Sequence, residues 1–383
     1  MEQLILALAI IVVASIVIMY ACDSFDHASA YLGRDMKPGV KGATINAIAS
    51  SLPELMTALF LLFLYHDQDG FSAGIATTAG SAVFNSVIIP MLCIFAVCFR
   101  GITKKVTTKT KSGRSRTKIV YEKIKNIQVG RGTVLRDGCF LLMAEAALIY
   151  FLGGTVMAWW MGGVLMLIYV LYFLTLMRGF SGAVDDDDDH EEDDDDDGRK
   201  NWFVSLFTFD FNSLLFGGRP LTKFSAWTVL GLSTTAVSIA CWQLADAVIL
   251  SSEALGVPPY FTAVIFAAAA TSVPDTVLSV KDALRGDYDD AISNALGSNT
   301  FDITVALGLP LLLYGFIYGD VALSASDGTT SDVQVLRIVL FGVTTFILAT
   351  FLISRSVTLR TAYILLGTYT AWIAFLVYNQ YYL

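Results

Sequence analysis

Apolar stretches of roughly 20 residues, the length a helix needs to cross a hydrocarbon core of about 30 Å, recur along the whole chain. Ten fit, at 2–22, 40–65, 71–99, 133–153, 156–178, 224–251, 258–283, 288–318, 333–354 and 358–381. A spanning segment has no water to satisfy its backbone, so each run reads as a helix. The expected fold class is an all-α membrane protein with ten transmembrane helices. Composition agrees, because 55% of the 383 residues are hydrophobic and only 15% charged, a balance too apolar for a domain with a solvated shell. The first run starts at Met1 with no basic flank and no small-residue cleavage site before Asp23, which reads as a retained helix rather than a cleaved leader.

Charge then sets orientation. Lys104, Lys105, Lys109, Lys111, Arg114, Arg116, Lys118, Lys123 and Lys125 crowd the loop 100–132, which the positive-inside rule makes cytoplasmic. Counting alternately, Arg34/Lys37, Arg199/Lys200, Arg285 and Arg355/Arg360 share that side, while the 66–70 turn and the acidic 319–332 loop fall opposite. Both termini are then extracytoplasmic, in an integral protein expected in the plasma (inner) membrane. Residues 179–223 become a cytoplasmic linker between a first half, 1–178, and a second half, 224–383, of five helices each. An odd number turns a repeated half upside down relative to its partner, the inverted-repeat plan of many secondary transporters.

Most of the net charge of −9 comes from one tract, Asp185 to Asp197. It is low in complexity and self-repelling, and lacks the glycine turn and spaced ligands of an EF-hand loop. It reads as a solvated linker or an electrostatic tether to the basic loop. The five cysteines lie in or beside apolar segments without disulfide or zinc spacing, and are expected as buried thiols. His27, His66 and His190 are scattered, so nothing suggests an enzyme, a cofactor or a nucleic-acid partner.

One pattern occurs twice. Ala49-Ser50-Ser51-Leu52-Pro53-Glu54 and Ala270-Thr271-Ser272-Val273-Pro274-Asp275 share the order small, hydroxyl, hydroxyl, aliphatic, proline, acid; Gly80-Ser81-Ala82-Val83-Phe84-Asn85 and Gly297-Ser298-Asn299-Thr300-Phe301-Asp302 follow in the next helices. Proline cannot donate to the carbonyl four residues earlier, which frees carbonyls near Ala49/Ser50 and Ala270/Thr271. Ser51/Glu54 and Ser272/Asp275 are i,i+3 pairs, Ser81/Asn85 and Ser298/Asp302 i,i+4 pairs, so each puts two oxygens on one helix face. Carboxylate, hydroxyl, amide and carbonyl oxygens are the ligands of hard cations such as Ca²⁺ and Na⁺. Ionised carboxylates facing lipid are costly, so Glu54, Asp275 and Asp302 should face the bundle interior. Kinking and close packing alone would account for one such motif, but less readily for two linked copies with acids.

At these residues the chain resembles the cation/calcium exchanger superfamily, most closely the potassium-dependent sodium/calcium exchangers, as does Cys22-Asp23-x-Phe25 at the end of the first run. The resemblance implies sodium-driven calcium extrusion by alternating access, on two inverted five-helix repeats. It makes Glu54 and Asp275 the central Ca²⁺ carboxylates, with the carbonyls of Ser50 and Thr271 as further ligands. The carbonyls of Ala47 and Ala268, with Ser51, Ser81, Ser272 and Ser298, would line flanking Na⁺ positions. Asn85 and Asp302 would take symmetry-related places beside the centre, and an acid at Asp302 is associated with potassium dependence. It also makes helices 2–22 and 224–251 a sliding pair, with Asp23, Asp26 and Asp246 as vestibule groups. The chain departs from the family at Ala49 and Ala270, where glycine is usual, at Lys41, and in a Pro-to-Gly spacing of 27 residues in one copy and 23 in the other. Proton-coupled exchange of calcium, Mn²⁺ or Mg²⁺ on the same fold is the near rival; a cation channel is the distant one, which broken helices in inverted repeats disfavour.

Overall fold

The computed structural model describes residues 2–32, 47–65, 68–109, 115–122, 129–154, 156–179, 202–322, 329–353 and 357–382, with Ile124 and Ile127. Its helices are α1 (Glu2–Leu32), α2 (Ala47–Ser50), α3 (Leu52–Tyr65), α4 (Gln68–Arg100), α5 (Arg131–Leu152), α6 (Trp159–Gly179), α7 (Trp202–Phe207), α8 (Phe211–Phe216), α9 (Lys223–Leu255), α10 (Pro259–Thr262), α11 (Ala268–Thr271), α12 (Val273–Arg285), α13 (Tyr288–Phe301), α14 (Gly308–Tyr318), α15 (Thr329–Ile353) and α16 (Leu359–Tyr382). Two π-helical stretches, Ala263–Ala267 and Asp302–Ala306, join α10 to α11 and α13 to α14.

Among the described residues, six helices can cross a membrane by length and composition: α1, Gly70–Arg100 of α4, Trp159–Arg178 of α6, α9, the run Tyr288–Tyr318 and Leu359–Gln380 of α16. A bent pair, Pro259–Thr271 with Val273–Arg285, makes a seventh if taken as one span. The expected count of ten is therefore not reached by this measure, for three physical reasons. The break at Ser51 leaves α3 only 14 residues long, and residues 40–46 of that expected span lie outside those described. In α15 the apolar part is short, Arg337–Ile353. Helix α5 has the length, 22 residues, but holds Arg131, Arg136, Asp137 and Glu145.

Helix ends follow local chemistry. Thr222 and Ser225 form a reciprocal capping box at the start of α9, and Gly256 closes it with φ of 67°, the left-handed conformation glycine adopts without strain. The same device, Gly286 with φ of 101°, ends α12.

α1 lies along α9, the most extensive helix pairing, while α4 is the hub, packed against α3, α12, α13, α15, α16 and the first π stretch. α5 joins α13 and α15, and α6 backs α14. Outward faces are rich in exposed Ile, Leu, Val, Phe and Trp, as lipid contact requires. The loop 100–132, expected only as a polar connection, contains an antiparallel hairpin, β1 (Ile102–Lys109) with β2 (Ser115–Glu122), in register from Ile102↔Glu122 to Lys109↔Ser115. A second short pairing joins β3 (Val156–Met157) to β4 (Val321–Ala322). The cysteines are free, but only Cys22, Cys93 and Cys241 are buried; Cys98 is half-buried and Cys139 exposed. The acidic tract falls outside the described residues.

Candidate functional site

Both copies of the proline motif break a helix one residue before the aliphatic position. Ser51 separates α2 from α3, and Ser272, with φ of −80° and ψ of 2°, separates α11 from α12. At Ser272 the axis turns by 43°. Glu54 and Asp275 consequently occupy first helical turns, where the positive end of the backbone dipole faces a carboxylate. Helix α9 backs the first break, its Cys241 thiol donating to the Pro53 carbonyl at 3.6 Å.

The serine helices α4 and α13 close on these breaks. Gly80 makes the approach possible, since a Cβ there would overlap the Val264 carbonyl oxygen and stand 2.6 Å from the Ala268 Cβ. One residue on, the Ser81 hydroxyl lies 2.9 Å from Ser272 Oγ, 3.0 Å from Asp302 Oδ2 and 3.3 Å from Glu54 Oε1, and accepts from Asn85 Nδ2 at 3.4 Å. Asn85 Nδ2 also donates to Asp275 Oδ2 at 3.1 Å, and Ser298 donates to Asp275 Oδ1 at 2.8 Å. Ser50 Oγ stands 3.5 Å from Ser298 Oγ. Glu54, Asp275, Asp302, Asn85, Ser51, Ser81, Thr271 and Ser272 have no exposed surface, and Ser50, Ser298 and Ala268 almost none.

The cluster holds more acceptor oxygens than hydrogens. Ser81 has one hydrogen to give, yet two carboxylates and a second hydroxyl lie within its reach. Glu54 Oε2, Asp302 Oδ1 and Asn85 Oδ1 are buried without a hydrogen-bond partner. Asp137, equally buried, is different: its Oδ1 accepts from Arg136 Nε at 2.7 Å and Tyr172 at 3.2 Å, its Oδ2 from Arg136 Nη2 at 3.1 Å and Ser293 at 2.7 Å. A carboxylate filled by four donors is a structural group. Glu54, Asp275 and Asp302 are instead linked through the shared Ser81 hydroxyl and the Asn85 amide, with acceptor oxygens left over.

The structure thus gathers Glu54, Asp275, Asp302, Asn85, Ser50, Ser51, Ser81, Ser272 and Ser298. One expected ligand is already engaged: the Ala268 carbonyl accepts from Ser272 N at 3.2 Å and from the Thr271 hydroxyl at 3.3 Å. Ala47 begins α2, and its side chain is not among those described. Among the described residues no three His, Cys, Asp or Glu side chains cluster as a resident metal centre would; the convergence depends on serine hydroxyls and the Asn85 amide nitrogen. Of the expected vestibule acids, exposed Asp23 pairs with Lys281 at 3.2 Å, and Asp246 accepts from Tyr65 at 3.0 Å.

Several buried polar groups lie outside the expected ligand set. Asn299 donates to the Ala82 carbonyl at 2.9 Å and to Ser86 at 2.7 Å, tying α13 to α4. Asp137, Glu145 and Arg337 are almost fully buried in α5 and α15. The one signal that could have found them is an ionisable residue inside an otherwise apolar run.

The profile of the sodium/calcium exchanger protein family matches residues 6–178 and 225–378. The chain belongs to that family. It is 40% identical over 91 residues to sodium/potassium/calcium exchanger Nckx30C of Drosophila melanogaster, a stretch covering 24% of this chain and 10% of that protein. Against sodium/potassium/calcium exchanger 3 of Homo sapiens it is 36% identical over 93 residues, 24% of this chain and 14% of the relative. The matched segments thus span a small part of these curated relatives. In architecture the chain is similar to the sodium-calcium exchanger NCX_Mj, with a TM-score of 0.52 at 19% identity over 97% of this chain and 99% of the other. It is also similar to YfkE, with a TM-score of 0.57 at 15% identity over 97% and 90%. The likeness is one of fold. The chain is an integral membrane protein.

Proposed function

We propose that the chain is a secondary cation antiporter that moves calcium against sodium by alternating access. The observation that carries this reading is the buried oxygen cluster between the two proline breaks, acceptor-rich and closed to water. Calcium and sodium are hard cations that take such oxygens, and they compete because the ligands are shared. In this reading Glu54 and Asp275 hold Ca²⁺ together with the Ser50 and Thr271 carbonyls. Ser51, Ser81, Ser272 and Ser298 with the Ala47 and Ala268 carbonyls serve Na⁺, and an ion at the Ala268 carbonyl displaces its present hydrogen bonds. Asp302, which shares the Ser81 hydroxyl with Asn85, confers a response to potassium.

The architecture proposed is ten spans in two inverted five-helix halves, 1–178 and 224–383, joined by the cytoplasmic linker 179–223, with both termini outside. Supporting it, the family match falls in two stretches on either side of that linker, and the paired breaks at Ser51 and Ser272 approach the centre from different halves. The packing of α1 along α9 suits a pair that slides as a unit while the cluster stays in place. A plasma-membrane location follows from the reading as calcium extrusion.

Radiolabelled calcium uptake into proteoliposomes tests this. Uptake driven by an outward sodium gradient, enhanced by potassium, is expected. Uptake driven only by a pH gradient would transfer the site to proton coupling.

A further inference from the structure

Behind the ion cluster runs a second buried polar system that the transport reading leaves unused. Arg337 of α15 is 1% exposed, and its Nη2 donates to the Ile75 carbonyl at 2.8 Å and to the Thr78 hydroxyl at 2.7 Å. Both acceptors lie on α4 within two turns before Ser81. On the opposite side, Asp137 of α5 takes the Ser293 hydroxyl at 2.7 Å, on α13 between one and two turns before Ser298. It also takes Tyr172, whose hydroxyl stands 3.2 Å from where a Gly297 Cβ would be. The two ends are connected. Thr344 of α15 donates to Glu145 Oε1 of α5 at 2.8 Å. Asp137 and Glu145 are eight residues apart, Arg337 and Thr344 seven, so each pair shares a helix face about two turns long. The remaining polar atoms, Glu145 Oε2 and Arg337 Nε and Nη1, are buried without a hydrogen-bond partner.

We infer that Arg337, Glu145–Thr344 and Asp137 form a polar clamp that fixes α4 against α13, and that Arg337 is thereby a positioning residue for the Ser81 hydroxyl. The hydroxyl must be placed to within a few tenths of an ångström, because it is shared by Glu54, Asp302 and Ser272. Apolar side chains slide with little resistance, whereas a buried guanidinium that leaves its acceptors strands a charge at high cost. The clamp therefore selects one axial register of α4. The groups named come from α4, α5, α6, α13 and α15. None of them is on α1 or α9, so the clamp holds the cluster rigid without hindering motion of that pair.

The inference rests on the proposed transport reading for one of its two readouts only. The test uses the full chain in lipid nanodiscs and proteoliposomes, as wild type, Thr78→Val, Arg337→Lys and Arg337→Met. Amide hydrogen exchange over residues 75–85 is expected to quicken in Thr78→Val and Arg337→Met, with 52–65 unchanged and with no cation required. The calcium concentration for half-maximal uptake is expected to rise roughly tenfold or more in Arg337→Met, the loss of charged hydrogen bonds, and Arg337→Lys should recover part of it. A merely structural role would lower the amount of folded protein and the maximal rate while leaving half-saturation in place. Thr78→Val removes one hydroxyl and covers the case in which Arg337→Met does not fold. Unchanged exchange over 75–85 in Thr78→Val and in whatever Arg337→Met is folded overturns the clamp. Absence of calcium uptake by the wild type overturns the transport reading, and the exchange measurement still decides the clamp.

Discussion

The two copies of the motif are nearly interchangeable as sequence and clearly unequal as structure. In the first copy Gly80 to Asn85 sit in α4, a helix unbroken from Gln68 to Arg100. In the second, α13 gives way at Asp302 to a π-helical stretch, where the Asp302 carbonyl accepts from Leu307 N at 3.0 Å. Such single-turn π segments occur frequently at functional sites because the extra residue re-aims side chains. The acids differ too: both oxygens of Asp275 receive donors, whereas Glu54 keeps one oxygen unpartnered. The contacts also cross between copies. Asn85 donates to Asp275, Ser81 to Asp302, and Asn299 to the Ala82 carbonyl. Neither copy completes a site alone, and the amide-for-acid exchange at Asn85 and Asp302 gives the pair one amide and one carboxyl group.

The largest expected effect removes the central charges. Glu54→Gln and Asp275→Asn should each lower calcium uptake by at least about a hundredfold, the scale for losing one charge of a buried pair, while the purified protein still elutes as a folded species. A variant that transports normally would break the equivalence of the two acids as ion ligands. Next, Asp302→Asn makes the second copy resemble the first at this position. It should abolish the response of uptake to potassium while calcium uptake persists within about tenfold, the scale of one charge-assisted bond; an unaltered potassium titration would remove Asp302 from that role.

Packing gives a smaller contrast. Gly80→Ala drives a methyl into the Val264 carbonyl and Ala268, a clash costing about 1–3 kcal/mol, visible as a lower melting temperature. Gly297→Ala meets only the Tyr172 hydroxyl at 3.2 Å and should melt closer to wild type. Equal losses would mean that the two serine helices are equally crowded. The smallest effect is expected in the acidic tract: replacing Asp185–Asp197 by a neutral Gly/Ser segment of the same length should leave initial uptake rates within about twofold, as screening by salt implies for solvated charge.

Chemistry with strong local rules is legible in the sequence. Proline beside an acid in an apolar run announces a helix break with a reason for it, and its repetition marks Ser51, Glu54, Ser272 and Asp275 from the residue order alone. The serines of the following helices are legible for the same reason. The π stretches are not, since Ala-Val-Ile-Phe-Ala and Asp-Ile-Thr-Val-Ala have the composition of ordinary helix. The clamp leaves no such mark because, Arg136 beside Asp137 apart, the partners of Asp137, Glu145 and Arg337 lie far away in sequence, and pairing across helices has no periodic signal. The hairpin in loop 100–132 is obscured in a different way. Thr103, Val106, Thr107 and Thr108 favour strand, but the lysines among them signal a cytoplasmic loop more strongly than they signal its internal structure.

The central claim is that the buried cluster itself binds the transported cation, and equilibrium binding of radiolabelled calcium to the purified protein in sodium-free buffer tests it most directly. The account predicts saturable binding that sodium displaces competitively and that Glu54→Gln and Asp275→Asn each eliminate. Binding that persists unchanged in both variants, or that sodium leaves untouched, would contradict it.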